Sequence, residues 1–484
     1  MISLLKKIPT KILITQLSEQ SMNMFRKNKP YHNTIYPLRN GLQQIVMLTA
    51  WDIARIIFLS IINSNDYHGS KKAIFLGEVV EAYRKYENDQ QFNILNAMDV
   101  KNCNISDIFA FITCLTSEQF IFSSMAWIFE KFNRDYYLLT TIDNKLDNSC
   151  KINIVDVFQD LFHCDLESYV HRLVILWWLC YKSPMPLAYF NTSKIKLRNV
   201  SCEDILSVVE KFSCTYYDVR ASKVKHLIFY SKPIIKSQAG DYISSNLYLV
   251  AMTVANSLYW LTRDYYKDKY CNDKKLKNYF PNSFGKLFET YIHELIIEFG
   301  DLKIWQKIDE NESTTPHADF IFTTQDITII FEVKSTIIGI EAKQQYPYIS
   351  VLKDKFGQSL EEAHKQLDGS YTKIRSSSLN TCIKIILLYD AFSKISIVEK
   401  TFSKIFEKDP MCFLMGIREF EIMLYYYKNS PDLFKKIIEQ LVWGTQNKSK
   451  RKSIDAIYEE LGIKDNPVWK DKKDFFNIFL SSIK

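Results

Sequence analysis

The stretch HADFIFTTQDITIIFEVKS, residues 317–335, limits the folds open to this chain more than any other. It reads as two apolar runs, HADFIF and ITIIFEVK, and successive side chains of a strand point to opposite faces. Apolar residues occupy both parities, so both faces need cover, as in a sheet buried between layers and unlike a solvated edge. A two-residue turn at Gln325-Asp326 would pair the runs so that opposed residue numbers sum to 651. Phe320 then faces Phe331, Ile321 faces Ile330, Phe322 faces Ile329 and Thr323 faces Thr328, like against like. Asp319 falls across from Glu332, and Lys334 shares the face of Glu332 while Val333 points the other way. A slip of one residue would bring carboxylates onto the apolar face, which fixes the register. Gln-Asp is not the Asn-Gly or Asp-Gly of a tight hairpin, so a longer loop with a shifted pairing stays open.

Opposed residues of a hairpin have Cβ atoms ~4.5–5.5 Å apart, so two ionised carboxylates at 319 and 332 would repel and raise at least one pKa. A divalent cation between them removes the conflict, and oxygen-only ligation favours Mg²⁺, with Mn²⁺ as a substitute. Lys334 would sit beside the attacking water, to orient it or to stabilise the developing charge. Such a set suits phosphodiester hydrolysis. A third acid, Glu289 in GKLFETYIHEL, borders an apolar stripe of Phe288, Ile292, Leu295 and Ile296 on the preceding helix. Asp/Glu-x-Lys alone is weak, since it recurs at Asp99/Lys101, Asp143/Lys145, Asp273/Lys275, Asp301/Lys303, Glu341/Lys343 and Asp471/Lys473. Only Glu332/Lys334 ends an apolar strand with a second carboxylate on the hairpin partner.

The chain of 484 residues is long enough for two to four domains at ~100–200 residues each. Residues 40–265 mostly show helical spacing, as in 42–63 and 202–212. The charged segment 263–283 reads as a boundary or exposed loop. Then follow a helix at 284–299, a strand at 302–308, the hairpin, a loop with Pro347, an amphipathic helix at 354–374 and an apolar strand at 382–390. A further strand is placed at 411–417, and a helical tail carries Lys448, Lys450, Arg451 and Lys452. A meander followed by a helical crossover makes a mixed α/β sheet. The expected division is a mainly helical recognition or regulatory region (1–265), a linker (266–283), an α/β domain (284–417) and a helical extension (418–484).

The ten cysteines have no CxxC spacing, which argues against a zinc knuckle or disulfide framework and for reduced core thiols. His163, Cys164 and His171 likewise lack a metal-ligand spacing. The longest apolar run is far short of the ~20 residues of a bilayer span, and the N-terminus lacks a secretory pattern. A cytoplasmic protein with no membrane partner is expected. The formal charge of +7 is concentrated early: residues 1–280 hold 34 Lys+Arg against 26 Asp+Glu, and 281–484 hold 28 against 29. That bias fits attraction of a polyanion.

The constellation resembles the PD-(D/E)XK nuclease superfamily, whose core runs helix, three strands, helix, strand, over about 284–417. By that resemblance, Asp319, Glu332 and the carbonyl of Val333 would bind Mg²⁺, Glu289 would contact it directly or through water, and Lys334 would act on the nucleophilic water. The Pro of the family pattern stands at Pro316, three residues before the Asp. His317 shares the face of Asp319. Gln366, bordering the stripe Leu360, Ala363, Leu367 and Ile374, is a further site candidate; Tyr371 stands one residue too far on for the Gln-x-x-x-Tyr motif of some exonuclease branches. The resemblance implies a metal-dependent nuclease acting on DNA, endonucleolytic in preference to exonucleolytic, and a homodimer would suit double-strand cleavage. A long helical region before a compact nuclease also looks like prokaryotic defence effectors against phage or foreign DNA. The alternatives are a nuclease acting on RNA, an inactive nucleic-acid-binding or sensor protein, and a helical interaction scaffold.

Overall fold

The computed structural model describes residues 1–37, 43–67, 76–97, 105, 107–110, 112–113, 125–192, 200–308, 317–337, 352–375, 381–390, 394–447, 451–481 and 483. Pro316, Pro347, Lys448, Lys450, Cys103 and Cys114 lie outside the described residues.

The first half is mainly helical, with two small sheets. Helix α1 (Thr10–Arg26) precedes a ribbon of β1 (Tyr31–Pro37) and β2 (Gln43–Thr49), paired antiparallel from Tyr31↔Thr49 to Pro37↔Gln43. Helical spacing predicts one helix over 42–63. The structure instead starts helix α2 at Ala50 and runs it to Asn63. The reason is local: Thr49 and Asp52 form a reciprocal capping box, which begins a helix there. Upstream of the cap, Val46 and Leu48 are buried and Ile45 and Met47 exposed, the two-residue period of a strand.

Helices α3 (Met125–Tyr137), α4 (Ile154–Phe162), α5 (Leu166–Lys182) and α6 (Leu247–Lys269) are among the helices that follow in this half. A second small sheet joins β3 (Ser213–Thr215), β4 (Ile234–Lys236) and β5 (Tyr242–Ser244). Between them, 202–212 is helical as its spacing predicts, over Cys202–Lys211. Of the expected linker, 266–269 end α6 and 279–283 open helix α7 (Tyr279–Phe299), so the irregular part is 270–278.

The second half is built on a five-stranded mixed sheet. Its strands are β6 (Trp305–Lys307), β7 (Phe320–Thr323), β8 (Ile327–Lys334), β9 (Thr381–Leu388) and β10 (Cys412–Gly416), in the order β10-β9-β8-β7-β6. β6, β7 and β8 form an antiparallel meander; β9 and β10 run parallel to β8. Helix α8 (Gly357–Arg375) lies between β8 and β9 in the chain, and helices α9 (Ile417–Asn429) and α10 (Pro431–Gln446) open the helical tail.

The hairpin register is the one the two-residue turn predicts: Phe320↔Phe331, Ile321↔Ile330, Phe322↔Ile329 and Thr323↔Thr328. The Thr324 N–H donates to the Ile327 carbonyl at 2.8 Å, closing the turn around Gln325 and Asp326. Thr324 Oγ1 reinforces it with a second bond to the same carbonyl, which lets Gln-Asp stand where Asn-Gly would be usual. One sheet face carries Phe322 and Phe331, which meet Phe420 of α9 and Phe434 of α10 at ring distances of 5.5–5.8 Å. The other face meets α8, whose Leu360, Ala363 and Leu367 are fully buried. Apolar residues of both parities are thereby covered.

The two halves share one core and a buried charge network. Arg134 on α3 forms a two-pronged pair with Glu421 on α9, at 2.6 and 2.7 Å, and the Tyr291 hydroxyl of α7 donates to the same carboxylate at 2.6 Å. No helix among the described residues is long and apolar enough to cross a membrane.

Candidate active site

Asp319 immediately precedes β7 and is fixed by its backbone from both sides. Its N–H donates to the Phe331 carbonyl at 2.9 Å, and its carbonyl accepts from Ile308 N–H at 2.9 Å. Its carboxylate accepts the Val333 N–H at 2.7 Å, so the side chain crosses onto β8 beside Glu332. The strand entrance is also pinned to α8, where Ser370 Oγ accepts from Ala318 N–H at 2.8 Å.

Glu332 is 2% exposed. One oxygen, Oε1, meets Lys334 Nζ at 2.7 Å; the other, Oε2, is buried and has no hydrogen-bond partner among the described residues. Lys334 Nζ also donates to Gln366 Oε1 of α8 at 2.8 Å, so the ammonium is suspended between strand and helix. Glu289 of α7 faces the pair from the rim, held by Lys307 of β6 at 2.7 Å and by Lys286 at 3.4 Å. The stripe beside it, Phe288, Ile292, Leu295 and Ile296, is buried. The structure thus gathers Asp319, Glu332, Val333, Lys334, Glu289 and Gln366 around one end of β8. His317 turns Nδ1 to the Ala318 carbonyl at 3.0 Å, and Tyr371 lies against Lys384, 4.7 Å from its ring centre.

The electrostatics follow from crowding acids in a dry place. Burial pushes the Asp319 carboxyl up to about 6, opposed by the Val333 N–H and reinforced by the charge of Glu289. Burial pushes Glu332 up to about 8, Asp319 adds to the rise, and Lys334 opposes it. Two neighbouring carboxyls that resist ionisation, one with an unpartnered buried oxygen, lack a positive charge. Lys334 supplies one on a single side only. Oxygen donors of this kind suit a hard divalent cation, and the open Oε2 of Glu332 is the atom such an ion would complete.

Sequence reasoning missed Lys286 and Lys307, the rim cations. Lys286 had a readable signal, three residues before Glu289 on the same helix. Lys307 had none, because its approach depends on how edge strand β6 meets α7.

A second polar group, His364, Asp368 and Asp409, brings ligand-type atoms close together. It is closed by Lys384 of β9, whose Nζ reaches Asp368 at 2.5 Å and Asp409 at 2.7 Å while His364 Nε2 lies 2.9 Å from Asp409. That ammonium occupies the charge centre and ties α8 to the sheet. Asp143, in one of the recurrent Asp-x-Lys tripeptides, has a structural role, its carboxylate accepting the N–H groups of Ile152 and Asn153.

No family model matches the chain, and neither a curated protein nor a solved structure matches it.

Proposed function

We propose that this chain is a Mg²⁺-dependent nuclease that hydrolyses phosphodiester bonds of DNA at the end of β8. One observation carries the reading: a buried carboxylate pair, Asp319 and Glu332, with the unpartnered Oε2 of Glu332 and a lysine fixed alongside. Structural ion pairs in a core close their charges, as Lys384 does with Asp368 and Asp409; this pair stays open.

Asp319 and Glu332 are the residues to hold the ion, with the Val333 carbonyl and Glu289 added by the sequence resemblance. When bound, the ion supplies Lewis-acid stabilisation of charge on phosphate oxygens and lowers the pKa of a coordinated water. The chain's own groups do the rest. Val333 N–H holds the Asp319 carboxylate in one orientation. Glu332 and Gln366 together hold Lys334 Nζ where it can orient the attacking water and stabilise negative charge on the phosphoryl oxygens. Lys307 and Lys286 place two cations at the rim, where a polyanion's backbone first arrives.

The test is cleavage of plasmid, linear duplex, single-stranded DNA and RNA with Mg²⁺ or Mn²⁺, with EDTA, and with Asp319→Asn. Cleavage that needs the metal and is abolished by the substitution is the expected result. Metal-independent cleavage, or activity unchanged in Asp319→Asn, overturns the assignment.

A further inference from the structure

The ribbon of β1 and β2 pairs along seven residues and, among the described residues, with no third strand. Its two faces differ. Thr34, Val46 and Leu48 are buried where the ribbon packs on the helix spanning Leu76–Ala97. Tyr31, Asn33 and Ile35 of β1 and Gln43, Ile45 and Met47 of β2 share the opposite face, and all six are exposed. Ile35 stands across from Ile45 and Asn33 across from Met47. Tyr31, Ile35, Ile45 and Met47 keep 47%, 56%, 69% and 48% of their surface in solvent. An apolar patch on a strand pair with open edges invites association, so this face calls for an occupant.

The foot of the ribbon is fixed and basic. Where α1 ends, Asn28, with φ of 50°, donates its N–H to the Phe25 carbonyl and Lys29 donates its N–H to the Met24 carbonyl, both at 3.0 Å, the paired closure that locks a helix end. The Pro30 carbonyl then accepts the Ala50 N–H at 2.8 Å. Exposed Lys27 and Lys29 are thereby set where β1 begins. Beside β2, Arg84 donates to the Met47 carbonyl at 3.1 Å and to Asp52 at 2.6 Å. On the helix beneath, Glu81 pairs with Lys85 and Glu87 with Arg55, while Glu78 stands exposed in the first turn. Residues 1–50 hold seven Lys+Arg against one acid, Glu19, which is six of the eight surplus positive charges of 1–280. The charge bias of the first half is therefore gathered in the segment that carries the ribbon.

Charge and size select the occupant. Two copies of so basic a segment repel each other, and six face residues fall well short of the about 20–30 a side of a standard protein interface. A polyanion is attracted instead. The major groove of a DNA duplex, about 12 Å wide, admits a two-stranded ribbon, and seven residues of strand reach ~24 Å along it. We propose that β1 and β2 read the duplex to be cut by lying in its major groove. Ile35, Ile45 and Met47 meet the 5-methyl groups of thymine, Asn33 and Gln43 bond to adenine edges, and Lys27 and Lys29 take the flanking phosphates. The ligand class rests on the nuclease reading, but binding without metal tests the ribbon by itself.

The full-length chain is titrated, in EDTA, into a fluorescein-labelled A·T-rich duplex and into the same duplex with deoxyuridine in place of thymidine, which lacks the methyl group. Anisotropy is read from 50 to 300 mM NaCl, and sedimentation velocity gives the oligomeric state. The variants are Asn33→Ala with Gln43→Ala, Ile45→Glu, Lys27→Gln with Lys29→Gln, and a charge-matched control, Lys435→Gln with Lys436→Gln, on the exposed face of α10; all these positions are exposed, so the fold does not depend on them. Wild type is expected to bind the thymidine duplex about fivefold or more tightly than the deoxyuridine one, and Ile45→Glu to erase that difference. Asn33→Ala with Gln43→Ala should weaken binding about tenfold at every salt concentration. The lysine pair should lower the slope of log affinity against log salt by roughly 1.8, two phosphates at ~0.9 each. Absence of duplex binding by the wild type, equal affinity for the two duplexes, or losses in the ribbon variants no greater than in the control overturns the proposal. So does a wild-type dimer that Ile45→Glu dissociates while duplex binding stays intact, which would make the face a protein interface. Binding through the ribbon without metal-dependent cleavage would leave the reader standing and the nuclease reading refuted. Metal-dependent cleavage with binding indifferent to the ribbon variants would do the reverse.

Discussion

Replacing Glu332 by Gln should make the metal-free protein more stable while removing the nuclease activity proposed for it. The carboxyl is 2% exposed and is lifted from its ordinary 4.5 to about 8. A raised carboxyl pKa means the folded chain binds more protons than the unfolded chain between those values, so stability falls as pH rises through that window. At ~1.4 kcal/mol per pH unit, the burden is about 1 kcal/mol at pH 5.5, about 3 kcal/mol at pH 7 and up to about 5 kcal/mol above pH 8. Glutamine is uncharged at every pH, and its carbonyl can still accept from Lys334. Relaxation around the new amide will consume part of the gain, so we expect roughly 2–3 kcal/mol at pH 8. The assay is urea unfolding in EDTA at pH 5.5 and 8, wild type against Glu332→Gln. The gain should be largest at pH 8, shrink to below about 1 kcal/mol at pH 5.5, and diminish at pH 8 on adding Mg²⁺ to the wild type, because the ion relieves the same charge. A variant less stable than wild type at both pH values, or a gain independent of pH, would refute the reasoning.

Lys334→Ala should lower the rate of plasmid cleavage by about 10²-fold or more, since one preorganised charge at the reacting phosphate is worth that much. Gln366→Ala should slow cleavage roughly tenfold, the value of one hydrogen bond that orients Lys334, with a urea midpoint close to wild type because only the rotamer of the lysine is freed. Arg134→Ala should destabilise the chain by about 3–5 kcal/mol in urea unfolding, because it strands the buried Glu421 carboxylate; a smaller loss at neutral pH would argue against that pair as a major tie between the halves.

The hairpin register was legible from the face-by-face matching of Phe320, Phe322, Ile329 and Phe331; the turn was not, because Gln325-Asp326 left a longer loop open and only the Thr324 bonds to the Ile327 carbonyl close it at two residues. Gln366 and Glu289 were legible as residues bordering apolar stripes, since stripe edges are where a polar side chain can still turn inward. The ribbon of β1 and β2 was not. Residues 42–63 hold enough apolar residues at helical spacing to satisfy one long helix, and the strand at its start is defined by a partner segment and by a cap that shortens the helix. Strands β3, β4 and β5, three residues each, are too short to show any period. Lys307 acquires its role only when the meander's edge closes on α7, and no local pattern encodes that approach.

The buried charges explain why the first half is part of the fold that positions the site. Arg134, Lys131 and Asp135 sit on one face of α3, and their partners are Glu421 on α9 and Tyr389, the residue just after β9. Burial pushes the Asp135 carboxyl up, opposed by Lys131 and by the Tyr389 hydroxyl, so each of these groups depends on the others to remain buried at all. Tyr389 in turn donates its N–H to the carbonyl of Lys334 at 3.1 Å, and its ring packs against Phe284 and Phe288 of α7, the helix that carries Glu289. One tyrosine therefore touches the backbone of the lysine, the helix of the third acid and the charge cluster of α3. Because an unpaired charge in this layer is expensive, the sheet and the early helices cannot part without exposing Glu421 and Asp135. The geometry at the end of β8 is thus maintained by residues nearly two hundred positions upstream.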